Sequence, residues 1–306
     1  MALTDRNLPP DFTSVQNPLH GILWMLASGL CFVGVTGIVR HLGTELPAAQ
    51  SAFIRFGWGA VFLFPTLVSM LRTGVSRAHL TLHLGRGVVH VAAVVCWFYA
   101  MARIPVAEVT AIGYLNPVLL TLGTVVFFGE VLSARRVAAI AVALIGALVV
   151  LRPGLREVTD GHLSQVFAAV FFAGSYLFAK KLSGLASAGQ IVAMLSLIVT
   201  LALAPLAAWV WVPISLVQIC WLAVVAACAT GGHYCMSRAF AAAPIAVTQP
   251  VVFLQLVWAT LLGFVVFGEA IDPFVILGGA VIVGAVSYIT WTEAMQRRRL
   301  AAAEGL

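Results

Sequence analysis

The chain has 306 residues, of which 62% are hydrophobic and only 9% are charged. Soluble proteins carry about 25% charged residues, so this composition excludes an ordinary soluble enzyme, a disordered chain and a disulfide scaffold. The mean hydropathy is +1.05, and 27 glycines and 13 prolines are present. Because transmembrane helices tolerate both residue types better than soluble helices do, the composition indicates an integral membrane protein.

The net charge of +6 comes from 15 arginines and 2 lysines that lie almost entirely between apolar runs. Basic residues at such places set topology and meet anionic lipid, so no nucleic-acid partner is expected. The five cysteines show no CxxC spacing, so neither a metal site nor a redox site is indicated and no cofactor is expected. No cleavable signal peptide is visible in the polar first 17 residues.

Ten apolar runs follow one another along the chain, and a helix that crosses the hydrocarbon core needs roughly 20 apolar residues. The runs are 18–39, 48–71, 80–101, 105–128, 133–151, 162–179, 189–211, 216–238, 244–267 and 273–291. The breaks between them carry proline, glycine or charged residues, which are typical of turns and loops between helices. The predicted fold class is therefore an all-α integral membrane protein with ten transmembrane helices.

Basic residues predict the orientation of these helices. With a cytoplasmic N-terminus, the inside segments hold 12 Arg and Lys residues and the outside segments hold 4. Arg86 is counted among the inside residues, whereas Arg55 falls within a span. The positive-inside rule then predicts that both termini are cytoplasmic, as tails over 1–17 and 293–306.

The second half of the chain repeats the first. At a shift of 139, residues 100–130 match 239–269 at 12 of 31 positions, including Pro105/Pro244 at one end and Gly129-Glu130/Gly268-Glu269 at the other. Each half, 18–152 and 160–292, holds five predicted spans. Because five is odd, the second half would enter the membrane from the opposite side. Inverted repeats of this kind are typical of secondary transporters, whose substrate site lies near the midplane.

A proline at the start of the fourth span and Gly-Glu at its end occur at equivalent positions in both halves. With this pattern, the chain resembles the drug/metabolite transporter superfamily, in its EamA-type ten-helix branch. The residues are Pro105, Pro117, Gly129-Glu130 and Gly146 in the first half, and Pro244, Gly268-Glu269 and Gly284 in the second. The second half departs from the first by placing Leu256 where Pro117 would fall. The resemblance implies a multi-pass protein of the bacterial inner membrane. Members of the branch are mostly exporters of amino acids and other small metabolites, and some are importers.

Two amides fall at equivalent midplane positions, Asn116 in span 4 and Gln255 in span 9. An amide at that depth is tolerated facing protein or a water-filled cavity, so the pair either lines a cavity or joins helices. His90, near the middle of span 3, either binds substrate or a proton, or is neutral and bonded to a backbone carbonyl. The predicted substrate-binding residues are His90, Tyr99, Tyr114, Asn116, Phe253, Gln255 and Trp258.

Charged residues inside spans are costly unless they are paired. Arg55 and Glu108 fall in the same predicted leaflet, so they are predicted to form an ion pair that acts as a fixed brace or a moving gate. Glu130 and Glu269 fall at helix ends and are interpreted as caps or loop anchors. Deep acids are nearly absent while aromatic residues are abundant, which favours a neutral, partly aromatic cavity suited to zwitterions or amphiphiles.

The chain has no Walker A sequence, no HExxH and no dinucleotide fingerprint, so an enzyme is not expected. The predicted function is export of amino acids, large neutral or aromatic ones above all, and related small metabolites by alternating access. The expected partners are a small-molecule substrate and the lipid bilayer, and a monomeric state is left open. The alternatives are an importer of a vitamin- or nucleotide-like metabolite, a membrane-embedded lipid-modifying enzyme, and a structural scaffold.

Overall fold

The computed structural model describes residues 18–74, 76–128, 134–155, 157–182, 185–242, 251 and 254–304. Within these residues the chain forms twelve α-helices. They are α1 (Pro18–Leu42), α2 (Ala48–Phe62), α3 (Phe64–Thr73), α4 (Arg77–Met101), α5 (Val106–Gly113), α6 (Leu115–Phe128), α7 (Ala134–Leu151), α8 (Asp160–Leu182), α9 (Ala188–Trp209), α10 (Leu216–Ala242), α11 (Leu254–Phe267) and α12 (Pro273–Glu304).

Apolar helices long enough to cross a membrane make up much of this fold. Five helices, α1, α4, α8, α9 and α10, meet that requirement alone, and α2 with α3 meet it together across a 69° bend. Shorter apolar helices lie at 106–120, 137–151, 254–267 and 273–288. The all-helical membrane fold is thus confirmed for the described residues, and the count of ten spans stays a prediction.

The predicted span 105–128 is divided into α5 and α6 by a turn at Tyr114. Pro117 has no N–H group to donate to the carbonyl of Gly113 four residues earlier, so the helix loses a hydrogen bond at this turn. The predicted span 48–71 is likewise divided, at Leu63, where Pro65 follows in the first turn of α3. Proline fits a first turn because its missing N–H would be unpaired there in any case.

The two halves show related helix boundaries. At a shift of 139, α6 falls on α11, and α4 and α10 begin at equivalent residues, Arg77 and Leu216. The halves differ at an equivalent pair of prolines. At a shift of 140, Pro65 falls on Pro205, yet α9 continues through Pro205 without a break. The boundaries support the predicted repeat and show that the halves are not copies in every turn.

Two bundles are recognisable in the packing of the helices. Bundle I contains α1, α10 and α11, and bundle II contains α4, α5, α6 and α8, with α5 packed on α11 of bundle I as well as on α8. Helix α2 packs on α9 beside them, and α7 packs on α12. Each bundle combines helices from both halves of the chain. In the repeat, α1 is equivalent to α8, α10 to α4, and α11 to α6. If the halves are related by symmetry, the α1–α10 contact therefore predicts an α8–α4 contact, and the α1–α11 contact predicts an α8–α6 contact. Both contacts of each pair are present, which supports the predicted inverted repeat.

Helices α7 and α12 approach each other backbone to backbone. A Cβ atom built on Gly146 would lie 2.8 Å from the carbonyl oxygen of Gly278, and one built on Gly278 would lie 2.5 Å from the carbonyl oxygen of Gly146. Small residues permit this close approach. In a bilayer the hydrophobic effect does not drive helices together, because lipid tails are as apolar as the side chains, so close van der Waals packing is a main source of helix association. Gly284, also on α12, has nothing within 4 Å of its Cβ position.

We expect Gly146→Ala and Gly278→Ala to destabilise the protein by about 1–3 kcal/mol, because the added methyl group must push the two helices apart. Gly284→Ala is the matched control and should be neutral or slightly stabilising, since alanine favours a helix. Unfolding of the purified variants in mixed micelles measures this. Equal stability of Gly278→Ala and Gly284→Ala would contradict the close contact.

Candidate functional site

Arg86 lies inside the helical region. It is the tenth residue of α4, about 14 Å from the start of the helix at 1.5 Å per residue, and it is 7% exposed. Its Nη1 donates to the carbonyl oxygen of Ile191 on α9 at 3.2 Å. Its Nε is buried and makes no hydrogen bond within the described chain. The sequence-based assignment of Arg86 to the basic residues of the cytoplasmic segments is therefore wrong, because α4 begins at Arg77 and encloses it.

Arg55 on α2 is the second interior arginine. Its guanidinium carbon lies 3.9 Å from the centroid of the Phe56 ring, a cation–π contact. Its Nε is also buried, and no hydrogen-bond partner for it occurs among the described residues. Both arginines thus retain donors that the surrounding helices leave unused.

His90 joins the two central helices of bundle II. Its Nδ1 is hydrogen-bonded to Oγ of Ser175 on α8 at 2.9 Å. The rings of Phe56 and Phe172 lie edge-on to the imidazole, with centroid distances of 5.7 and 5.2 Å. The hydrogen-bonded partner of His90 is thus a side chain of the facing helix, where one sequence-based alternative expected a backbone carbonyl.

The interior arginines and histidines form one electrostatic group. Arg55, Arg86 and His233 all act electrostatically on His90, and both arginines act on His233 of α10. We call these four residues the cationic cluster. Arg86 also acts on Tyr176 of α8. The cluster lies between bundle I, which supplies His233, and bundle II, which supplies Arg86 and His90.

The helices around this cluster carry almost no acid. Helices α1, α2, α4, α9 and α10 contain no Asp or Glu, and α8 contains only Asp160, its first residue. The lack of deep acids was the basis for expecting a neutral cavity. That expectation is wrong for this region, because two permanently charged guanidinium groups lie within it.

Side chains at the cluster retain accessible surface. Tyr176 on α8 is 36% exposed, and Arg55 on α2 and His233 on α10 are half-buried. Helices α2, α8 and α10 therefore each present a partly accessible polar side chain at this place.

The predicted midplane residues lie where α5, α6 and α11 meet. The hydroxyl group of Tyr114, at the turn between α5 and α6, is hydrogen-bonded to the backbone of Leu256 on α11. The Cβ of Gln255 lies 3.9 Å from the Cβ position of Gly29 on α1. Oδ1 of Asn116 and Nε1 of Trp258 are buried, and neither is hydrogen-bonded within the described part of the chain.

Helix α1 connects these midplane residues to the cationic cluster. One turn along from Gly29, the ring of Phe32 lies edge-on to His233 at a centroid distance of 5.1 Å. Oγ of Ser28 donates to the backbone oxygen of Gly232 at 2.8 Å. The same short stretch of α1 therefore contacts Gln255 on one side and the His233 region on the other.

One predicted site residue, Tyr99, falls elsewhere. Tyr99 lies near the end of α4, where the guanidinium carbon of Arg103 is 3.6 Å from the centroid of its ring. Phe253 lies outside the described residues, as does Glu130.

One end of the protein is held closed by a clasp between the bundles. Nε of Arg40, on α1, donates to Oε1 of Glu269 at 3.0 Å, and its Nη1 donates to the carbonyl oxygen of Ala102 after α4 at 3.1 Å. Oε2 of Glu269 accepts from the backbone N–H of Val106, the first residue of α5, at 2.9 Å. Glu269 thus caps a helix of bundle II while it pairs with an arginine of bundle I.

Glu108 pairs with His162 at the same end. Nδ1 of His162 accepts from the backbone N–H of Thr159 at 3.1 Å, so its Nε2 carries the proton and donates to Oε2 of Glu108 at 2.6 Å. The structure does not bring Glu108 together with Arg55 as the sequence suggested. The reason is packing, since α5 lies against α8 and α11 while α2 lies against α9 and α10.

A third ion pair at this end joins Arg152, after α7, to Asp272, before α12. It connects the peripheral α7–α12 pair and does not join bundle I to bundle II. A small cleft beside the clasp is lined by Glu108, Glu269 and Asp272. Each of these carboxylates already has a cationic or histidine partner, so the cleft belongs to the closed end.

Comparison with known proteins identifies the family. The model of the EamA-like transporter family matches residues 19–152 and 160–291. This chain belongs to that family. It is therefore a membrane protein of a transporter family, in agreement with the resemblance seen in the sequence.

The relatives of this EamA-family chain are named transporters. It is 29% identical to a riboflavin transporter of Vibrio cholerae, over 93% of this chain and 97% of the relative. It is 25% identical to an S-adenosylmethionine uptake transporter of Rickettsia prowazekii, over 92% and 95%. It is 26% identical to a pseudopaline exporter of Pseudomonas aeruginosa, over 89% and 96%.

A solved crystal structure also matches, with a TM-score of 0.56 and 21% identity over 92% of this chain and 96% of that one. This likeness shows that the fold is shared.

We expect Glu108→Ala and His162→Ala each to destabilise the protein by about 1–3 kcal/mol, because each strands a buried polar partner. The double variant should lose less than the sum, whereas Glu108→Ala and Arg55→Ala should be additive. Chemical unfolding of the purified variants measures both cycles. Coupling in the Arg55 cycle together with additivity in the His162 cycle would overturn the assignment.

Proposed function

We propose that this chain is a secondary transporter that moves a small, partly aromatic metabolite through a cavity between bundle I and bundle II by alternating access. The observation that carries the proposal is the clasp, in which Arg40 and Glu269 close one end over an interior lined by polar groups of both bundles. A transporter needs such a closed end with a buried polar site behind it, and a structural scaffold does not. The basic-residue bias leads us to propose that the clasp faces outward.

The two bundles are the bodies that we propose move. Helix α1 lies along α10, and α4 lies along α8, so the tightest contacts join helices of opposite halves. Rocking one half of the sequence against the other would separate these pairs. Movement of bundle I against bundle II keeps them intact and breaks the clasp, the contacts of α1 with α4, and the contacts of α5 with α1 and α11. We therefore propose that the bundles, and not the two halves of the sequence, are the moving bodies.

The substrate class follows from the aromatic walls and from the relatives. Large neutral or aromatic amino acids, moved outward, are the substrates that the sequence favours. The names of the relatives include riboflavin, S-adenosylmethionine and pseudopaline, and they include both uptake and export. These names support transport of a small metabolite in either direction, so import of a vitamin- or nucleotide-like metabolite is the second candidate.

The alternative of a lipid-modifying enzyme has less support from the site. Such an enzyme needs a carboxylate available for proton transfer near a membrane interface. Glu108, Glu269 and Asp272 are engaged in the ion pairs of the closed end, and the interior helices contribute cations and aromatic rings.

Transport by reconstituted liposomes tests the proposal. We expect uptake or efflux of at least one compound from a panel of aromatic amino acids, organic acids, riboflavin and S-adenosylmethionine. Asn116→Trp and Gln255→Trp should reduce the rate at least about tenfold, because a bulky side chain at the meeting point of α5, α6 and α11 blocks the path. Val265→Trp is the matched control on α11, since Val265 is 73% exposed and its replacement faces away from the bundle.

Two results would contradict this proposal. Transport at the parent rate by both blocked variants would place the path elsewhere in the protein. The absence of transport across the whole panel, by folded protein inserted in both orientations, would remove the transporter assignment for these compounds.

A further inference from the structure

We propose that the cationic cluster binds the oxyanion of the transported metabolite, so that the substrate is an aromatic organic acid bound in its anionic form. This inference rests on the proposed function and names the substrate class for the same cavity. The oxyanion is a carboxylate or a phosphate, because the planar guanidinium fork matches both.

The positive charge of Arg55 and Arg86 favours an anionic ligand. Arg55 and Arg86 remain protonated in proteins, and a buried charge is costly unless an opposite charge or several hydrogen bonds compensate it. The helices that surround the cluster offer a backbone oxygen to Arg86 and an aromatic face to Arg55. They offer no carboxylate along their length, apart from Asp160 at the far end of α8. A bound anion would supply the missing negative charge.

Unused hydrogen-bond donors on both arginines also favour an oxyanion. A guanidinium group has five N–H donors, and Nε of both arginines is buried without a partner among the described residues. Arg86 is 7% exposed, so bulk water does not satisfy its remaining donors freely. An oxyanion that entered from the cavity would accept from both side chains and satisfy them together.

The aromatic surroundings define the other part of the ligand. The rings of Phe172 and Tyr176 lie nearly parallel, with centroids 6.3 Å apart and an interplanar angle of 20°. Phe172 also contacts Trp97 at 5.8 Å, and Phe56 contacts His90 at 5.7 Å. Aromatic rings of this kind favour an aromatic or heteroaromatic ligand through stacked and edge-on contacts.

Charge also separates an organic acid from an amino acid. The ammonium group of a zwitterion would enter a region that contains two arginines, whose like charge repels it. An aromatic acid without that ammonium group avoids the repulsion and keeps the attraction to its oxyanion. The cluster therefore favours net anions over the amino acids that the sequence alone suggested.

Four probes with similar aromatic skeletons test this inference: 3-phenylpropionate, phenyl phosphate, neutral 3-phenylpropionamide and zwitterionic phenylalanine. Binding to the purified full chain in lipid nanodiscs is measured by calorimetry. At least one of the two anions should bind about tenfold or more tightly than the amide and phenylalanine. The anion that binds more tightly identifies the kind of oxyanion that the cluster prefers.

Variants connect the binding to the cluster. Arg86→Gln should weaken the preferred anion about tenfold or more, because truncating one partner of a buried charge pair is costly. Arg86→Lys should retain part of the affinity. Arg55→Gln provides a second variant if Arg86→Gln does not fold, as judged by size-exclusion chromatography. Arg103→Gln removes the same charge at an exposed position and should bind like the parent protein.

The outcomes separate this inference from the proposed function. Equal affinity for the amide and the anions, or parent-like affinity in both folded glutamine variants, would overturn the anion site. Transport of neutral panel compounds without any preference for anions would overturn the anion site and leave the transporter assignment standing. Arginine-dependent anion binding without transport of any compound would overturn the transporter assignment and leave the anion site standing.

Discussion

A positive charge within a membrane protein has to be neutralised, and among the residues that the structure describes no carboxylate lies beside Arg55 or Arg86. The buried and half-buried acids of the described chain form ion pairs at another place. Glu108, Glu269 and Asp272 are all engaged at one end, where they pair with a histidine and two arginines. The protein therefore has a paired, closed end and an interior that remains positive. This separation of charges determines both how the bundle is held shut and which ligand the interior can accept.

The packing of the helices adds a constraint on movement. Because bundle I and bundle II each combine helices of both halves, the sequence repeat and the packed bundles are different divisions of the same chain. The clasp lies where the two bundles meet, with Arg40 and Glu269 on one side and the backbone of Ala102 and Val106 on the other. The cationic cluster lies at the same boundary, deeper in the protein. Opening the boundary would therefore expose the cluster and break the clasp in one motion.

Local chemistry made parts of this structure predictable from sequence. The register of the repeat anticipates the equivalent first residues of α4 and α10, and Pro117 explains the turn at Tyr114 through the hydrogen bond that it removes. The polar positions His90, Tyr114 and Gln255 were recognised because a polar side chain in the middle of an apolar run requires a partner or a cavity.

Other features depend on tertiary contacts that no local pattern encodes. Glu108 and His162 are separated by 54 residues, and their pairing follows from the packing of α5 on α8. Arg86 was missed because it was counted as a topological signal. Its position four residues before His90, on the same face of one helix, was the available indication that it lies inside. The composition of the two bundles could not be predicted from a repeat that relates the halves.

The most direct test of the account is a pair of distances measured by double electron–electron resonance at the clasp end, in protein freed of its native cysteines. Spin labels at Leu163 on α8 and Leu216 on α10 lie in different bundles but in the same sequence half. Labels at Thr44, after α1, and Leu216 lie at helices of the same bundle but in different halves. Breaking the clasp with Glu269→Ala, which removes the acceptor of both Arg40 and Val106, should lengthen or broaden the Leu163–Leu216 distance and leave the Thr44–Leu216 distance unchanged. A constant Leu163–Leu216 distance with a changed Thr44–Leu216 distance would contradict movement of the bundles and favour movement of the halves.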